Sequence, residues 1–292
     1  MEALLVTGHY VHDLSPFLWE WREGQGIRYY GLAYVLGVVV AWALLHLYAQ
    51  KGRSPLQGEA IGNALLALII GVMVGGRLGY FVFYHPGTLL SDPLALLRVW
   101  EGGMASHGGI LGVIAALFWV ARQNKLSFWR LADLLASVGA AGLLFGRVAN
   151  FINGELWGRI TEVSWGVIFP ASVPPGTPIE EIPARHPSQL YQAGLEGLAL
   201  FLYMQIRFWG SRVCQRSPGQ LAGEFLAVYA VARIIAERYR EADEGVSQIF
   251  GLNRGAFYSL FLLVAGISLI VWRRGGGPTE DSKKQKKNPG KA

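Results

Sequence analysis

Of the 292 residues only one, Cys214, is cysteine. That excludes an internal disulfide, a cysteine-based metal cage and a CxxC redox pair. Charge is scarce as well. Asp, Glu, Lys and Arg make up 16% of the chain, against about a quarter in a soluble globular protein. The six histidines are scattered and no HExxH pair occurs, so no metal site is expected. P-loop and GxGxxG patterns are missing, which argues against nucleotide use. No cleavable signal is expected either: the first 26 residues hold Glu2, Asp13, Glu20 and Glu23 and lack a basic start followed by an apolar run. The formal charge of +6 is inflated by Lys283-Lys284-Gln285-Lys286-Lys287, and no nucleic-acid partner is expected from it.

What the chain has is apolar length: 52% of it is hydrophobic, in long stretches separated by short charged ones. A helix needs about 20 mostly apolar residues to cross a bilayer core. The stretches predict an all-α integral membrane protein with seven transmembrane helices, near 28–48, 61–83, 107–121, 131–152, 188–207, 220–239 and 252–272. One set of connections carries Lys51, Arg53, Arg122, Lys125, Arg130, Arg207, Arg212, Arg216 and the tail from Arg273. The other carries Glu20, Glu23, Asp92, Glu101, Glu162, Glu180, Glu181, Glu241, Asp243 and Glu244, with fewer basic residues. Since Lys and Arg stay on the cytoplasmic side, the N-terminus is expected outside and the C-terminus in the cytoplasm.

Residues 1–274 are therefore expected to form one membrane domain. Its longest external segment, about 155–187, holds five prolines between Pro170 and Pro183, which break helices and predict a small extracytoplasmic cap between spans four and five. Residues 275–292 read as a basic, disordered cytoplasmic tail. Glycines recur four apart at Gly71, Gly75 and Gly79, at Gly108 and Gly112, and at Gly142 and Gly146. That spacing lets helix backbones approach closely; the alternative is a surface that admits a lipid chain. No internal repeat is visible, which weakens an inverted-repeat transporter.

Several polar residues fall where hydrocarbon penalises them: Arg77, His107, Arg147, Asn150, Asn153, Arg233 and Glu237. A central Arg costs roughly 2.5–3.5 kcal/mol on insertion scales, so such groups normally face a polar interior. Together they imply a shared hydrated cavity. Tyr229, Arg233 and Glu237 are spaced i, i+4, i+8, on one helix face; the structural alternative is a self-neutralising Arg–Glu pair. Arginines can clamp phosphate oxygens and amides can complete the cradle. A histidine near neutrality can move a proton. At this level an enzyme, a transporter for an anionic lipid or phosphate ester, and an assembly subunit with purely structural charges all remain open.

The string Gly146-Arg147-Val148-Ala149-Asn150-Phe151-Ile152-Asn153-Gly154-Glu155-Leu156-Trp157-Gly158-Arg159 resembles the signature of the bacterial prolipoprotein diacylglyceryl transferases. Supporting similarities are Arg28-Tyr29-Tyr30-Gly31-Leu32, Gly75-Gly76-Arg77-Leu78-Gly79-Tyr80, Gly102-Gly103-Met104 with His107-Gly108-Gly109, His186-Pro187-Ser188-Gln189-Leu190-Tyr191, and the Tyr229/Arg233/Glu237 helix. They run in family order from about residue 16 to 272. The resemblance implies a multi-pass protein of the bacterial cytoplasmic (inner) membrane with its active site toward the extracytoplasmic side. The implied reaction moves a diacylglyceryl group from phosphatidylglycerol to the lipobox cysteine in the signal peptide of a preprolipoprotein, with phosphatidylglycerol as lipid co-substrate and no bound cofactor. Carried over by residue, Arg147 and Arg233 bind the lipid phosphate, Glu237 positions Arg233, and His107 is the candidate base. Tyr30, Arg77, Asn150, Asn153, Glu155 and Gly158 are expected to contact or shape the substrate site. Ala105-Ser106 before His107, where the family carries an aromatic, and Ala256, where it commonly carries Gln, depart from the pattern.

Overall fold

A computed structural model describes residues 5–6, 8–98, 102–242 and 249–274. Glu101, Asp243, Glu244 and the basic tail 275–292 lie outside the described residues. The chain divides into two compact units, Met1–Ala41 with Leu135–Ala292, and Trp42–Leu134.

Helices stand where the apolar runs predicted them. They are α1 (Tyr29–Gln50), α2 (Glu59–Tyr84), the short α3 (Pro86–Ser91), α4 (Ser106–Gln123) and α5 (Phe128–Ile152). The fifth run begins as α6 (Ser188–Gln192), widens to a π-helical segment at Ala193–Ala199, and continues as α7 (Leu200–Gly210). After the short α8 (Val213–Arg216) come α9 (Gln220–Glu237) and α10 (Arg254–Arg274). By length and composition, α1, α2, α5 and α10 are able to cross a membrane. The others are shorter, interrupted or more polar.

Local chemistry ends these helices. Gly52 (φ 65°) closes α1: its N–H reaches the Ala49 carbonyl while Arg53 N–H reaches Tyr48, the paired bonds of a left-handed glycine cap. Pro86 ends α2, because a residue preceding proline is pushed out of the helical region; His85 sits at φ −137°.

Within 42–134, α2 and α4 pack through the predicted glycines. A Cβ at Gly112 would strike the Gly71 carbonyl, and one at Gly108 that of Gly75. In the other unit, a Cβ at Gly266 on α10 would come within 2.7 Å of the Gly223 carbonyl on α9. Gly146 differs: among the described residues, no atom of another element lies within 4 Å of its Cβ position.

The all-α expectation needs correction. Strands β1 (Leu5–Val6), β2 (His9–Val11), β5 (Val167–Ile168) and β6 (Ala184–Arg185) form a sheet in the order β1-β2-β5-β6. β2 runs parallel to β5, pairing Tyr10 with Val167 and Val11 with Ile168; the other pairs are antiparallel. The expected cap at 155–187 is thus completed by the N-terminal segment, over a core of Val11, Ile168 and Ile182. A separate hairpin, β3 (Phe17–Arg22) with β4 (Gln25–Arg28), leads straight into α1.

Candidate functional site

Helix α5 presents Arg147 and Asn150 one turn apart, and α9 presents Tyr229, Arg233 and Glu237 in a row. The residue that joins them is one the sequence reading passed over. Glu196, on the π-helical segment, is wholly buried; one carboxylate oxygen lies 3.2 Å from Arg147 Nη2 and the other 3.2 Å from Arg233 Nη1. Its placement follows from Gly197, whose missing Cβ lets the segment press on the α5 backbone: a Cβ there would come within 2.6 Å of Leu144 Cα. Arg147 lies three residues beyond Leu144, on the same face. Single-turn π insertions in α-helices recur at functional sites.

Arg233 also pairs with Glu237 at 2.5 Å, and Arg240 lies 3.5 Å from the same carboxylate oxygen. The other oxygen accepts a hydrogen bond from Asn253 Nδ2 at 3.2 Å. Gly255 at the start of α10 makes room for this pair: its Cβ position is 2.5 Å from Glu237 Oε1 and 3.0 Å from Arg233 Nη2. The result is a chain of alternating sign, Arg147–Glu196–Arg233–Glu237–Arg240, with a cation at each end. Arg147 and Arg233 side chains keep 18% and 13% of their exposure while the glutamates keep 0–2%. The anions are sealed and the cations remain reachable. A guanidinium has five donors, and Arg147 gives Glu196 one of them. Such an array can receive a phosphate at the arginines while the buried carboxylates hold their geometry.

Beyond α5 the backbone makes two left-handed steps. Gly154 (φ 63°) caps the helix, its N–H on Phe151 and that of Glu155 on Asn150. The Glu155 carboxylate then accepts from Asn150 Nδ2 at 2.7 Å. Leu156 follows at φ 57°, which costs a side-chain-bearing residue roughly 1–2 kcal/mol. Side chains from α6 hold it there: Gln189 Nε2 donates to the Glu155 carbonyl at 2.6 Å and Ser188 Oγ to that of Leu156 at 2.9 Å. His12, the residue after β2, hydrogen-bonds the Phe151 carbonyl at 2.7 Å. Leu156→Gly is therefore expected to leave thermal stability level or slightly higher, since relief of strain offsets about 1 kcal/mol of glycine entropy. Ser188→Ala, which leaves a carbonyl unpaired, should lower it by about 1–3 kcal/mol. Thermal melts in detergent separate the two.

Gly158 is wedged in this same connection. Its N–H donates to the His186 carbonyl at 2.9 Å, and a Cβ would run into both the His186 and Tyr239 carbonyls. Gly158→Ala is expected to push these two backbones apart and cost more than 2 kcal/mol; a falling unfolding midpoint together with lost activity is the readout. Next to it, burial lowers the pKa of the His186 imidazole, whose Nδ1 lies 3.1 Å from the Tyr191 hydroxyl.

The other expected residues distribute as follows. Tyr30 is the second residue of α1, its ring 5.2 Å from that of Tyr34, and Tyr34 is within electrostatic reach of Glu155. Asn153 Oδ1 is buried and has no hydrogen-bond partner among the described residues. Arg77 and His107 belong to the 42–134 unit. His107 is exposed at the second position of α4. Arg77, expected to contact substrate, is committed otherwise. Its Nε donates to Leu96, its Nη1 to Gly102 and Gly103, and its Nη2 to Ala95 and Arg98, all to backbone carbonyls. With all five donors used and the residue 4% exposed, Arg77 ties down the segment leading to His107 and has no N–H left for a ligand.

Among the described residues no group of three or more His, Cys, Asp or Glu could hold a metal. Helices able to span a bilayer, together with a buried arginine–glutamate array whose cations stay reachable, define a multi-pass membrane protein with a charged array suited to an anionic group. The profile of the prolipoprotein diacylglyceryl transferase family matches residues 16–272. Proteins named phosphatidylglycerol–prolipoprotein diacylglyceryl transferase are similar over most of the chain. The one from Phenylobacterium zucineum is 43% identical over 258 residues, covering 85% of this chain and 88% of its own. That from Cereibacter sphaeroides is 41% identical over 283 residues, covering 90% and 97%. That from Zymomonas mobilis is 40% identical over 246 residues, covering 84% and 83%. The chain belongs to the prolipoprotein diacylglyceryl transferase family.

Proposed function

We propose that this protein transfers the diacylglyceryl group of phosphatidylglycerol to the lipobox cysteine of a preprolipoprotein, the first step of lipoprotein maturation. The cysteine loses its proton, its sulfur bonds to the glyceryl carbon, the carbon–oxygen bond to phosphate breaks, and glycerol-1-phosphate leaves. The observation that carries this reading is the Arg147–Glu196–Arg233 array inside a chain whose relatives are named for that transfer.

In this reaction Arg147 and Arg233 bind the lipid phosphate and stabilise the charge that grows on the leaving oxygen. Glu196 and Glu237 are positioning residues for those arginines. Asn150, Asn153, Glu155 and Gly158 shape the adjoining wall, and Tyr30 meets the headgroup. His107 takes the thiol proton, and Arg77 positions the segment before it. Phosphatidylglycerol is the co-substrate, and the residues call for no bound cofactor.

The same reading places seven spans across the bacterial cytoplasmic membrane, with the N-terminus and the site outside and the tail inside, as the distribution of Lys and Arg favours. The test is a lipid mass balance in detergent with a peptide bearing one lipobox cysteine. The transferase consumes one phosphatidylglycerol per diacylglyceryl-peptide formed. A transporter using the same arginines would leave the lipid intact, and that result would overturn the proposal.

A further inference from the structure

The hairpin β3–β4 projects from the fold with no buried residue. Leu18, Trp19, Trp21 and Ile27 are 54%, 67%, 63% and 41% exposed, and Trp19 is paired with Ile27 across the strands. Bulges at Phe17/Trp19 and Glu20/Arg22 interrupt the ladder. An isolated two-stranded hairpin is marginal in water, and four large apolar side chains on one that nothing among the described residues covers add to the cost. Something must cover it.

We infer that the covering surface is the membrane itself: the hairpin is an interfacial anchor, its tryptophans lodged at headgroup level. Continuity argues for this. β4 ends at Arg28 and α1, a helix able to cross the bilayer, begins at Tyr29 with no linker. Tyr29 N–H donates to the Pro16 carbonyl at 3.1 Å, which closes the base of the hairpin onto the helix start. The hairpin is therefore held at the depth where α1 enters the bilayer, and Trp and Tyr favour that depth. Its composition fits an amphipathic boundary. Glu20, Arg22, Glu23 and Gln25 supply a polar side and turn, and Arg28 stacks on Phe17 with its Cζ 4.7 Å from the ring centroid. The leaflet follows from the proposed topology and is the outer one. Because Tyr30 lies two residues beyond β4, the anchor also fixes the depth of that residue.

Spin labels at Trp19→Cys, Trp21→Cys and, as control, Glu23→Cys, each in Cys214→Ser protein reconstituted in phosphatidylglycerol–phosphatidylcholine vesicles, test this. Positions 19 and 21 should be at least threefold more accessible to oxygen than to a water-soluble nickel chelate, with the ratio reversed at 23. Equal access to the chelate at all three positions would overturn the anchor. Exclusion of both reagents at 19 and 21 would also overturn it, because a protein surface, from a second copy or a substrate chain, then covers the hairpin. Should Cys214→Ser fail to fold, quenching by lipids brominated near the glycerol backbone serves instead. Wild-type protein should lose a larger share of its fluorescence than Trp19→Phe/Trp21→Phe protein, and equal quenching would contradict the anchor. Neither measurement depends on turnover, so failure of the transferase reading leaves a separate result.

Discussion

Arg147→Ala protein that remains folded is expected to form the diacylglyceryl-peptide roughly 10²–10³-fold more slowly than the parent. Loss of one donor to an oxyanion typically costs that much, and Arg147, whose side chain keeps 18% of its exposure, is the more accessible of the two arginines that Glu196 joins. The deficit should appear in kcat more than in KM, because charge on the leaving phosphate oxygen is greatest in the transition state. Arg233→Ala should lose at least as much, since Arg233 also separates Glu196 from Glu237 and its removal brings two buried anions together. Arg147→Lys should recover only part of the rate, for an ammonium cannot reproduce a planar two-point contact. Steady-state kinetics of the three variants, with circular dichroism as the check on folding, would decide this. An unchanged kcat in folded Arg147→Ala would remove the arginine from the chemistry.

The second large effect is on stability. Glu196→Ala is expected to cost about 3–5 kcal/mol, the usual penalty for breaking a buried ion pair from one side. Glu196 is fully buried and is the carboxylate shared by Arg147 and Arg233. Removing it leaves two largely buried cations facing each other between α5 and α9. Glu196→Gln keeps the volume and one hydrogen-bond acceptor and should be milder. Removing the repulsion should then return part of the loss: Glu196→Ala combined with Arg147→Ala is expected to melt higher than Glu196→Ala alone. Melting midpoints in detergent give the comparison, and simple additivity would show that the pairs are not coupled.

Much of this was legible in the sequence, for identifiable reasons. Apolar runs located helices α1, α2, α4, α5, α9 and α10 to within a few residues, four of them (α1, α2, α5 and α10) long and apolar enough to cross a bilayer, and Gly71, Gly75, Gly108 and Gly112 announced the α2–α4 contact. Arg147, Arg233 and Glu237 stood out as charges in hydrocarbon, and the structure brings all three together. Glu196 escaped because Leu195-Glu196-Gly197 sits inside a run dominated by apolar residues, where one carboxylate does not change the pattern. The usable signal was its cost: an acid at that depth needs a cation, and Arg147 and Arg233 were the candidates. Arg77 shows the opposite error. An arginine in a span reads as a ligand site, but five backbone carbonyls satisfy it completely, and carbonyl direction is invisible to residue type.

Strands were the least legible part. β1, β2, β5 and β6 are two or three residues long, too short for period-two alternation to register, and the pairing of β2 with β5 joins segments about 157 residues apart. The hairpin was accessible in principle, since Phe17–Arg22 is rich in aromatics and Gly24 (φ 72°) marks the turn. The strained Leu156 had no sequence signal, because leucine is not a residue that chooses a left-handed conformation.

The most direct test of the central claim uses purified protein, phosphatidylglycerol carrying a labelled headgroup, and a peptide with one lipobox cysteine. Mass spectrometry follows the thioether adduct while the label follows released glycerol phosphate. Both products should appear in equal amounts and fall together in folded Arg147→Ala protein. Intact lipid and unmodified peptide with folded parent protein, or adduct formation indifferent to Arg147, would contradict the account.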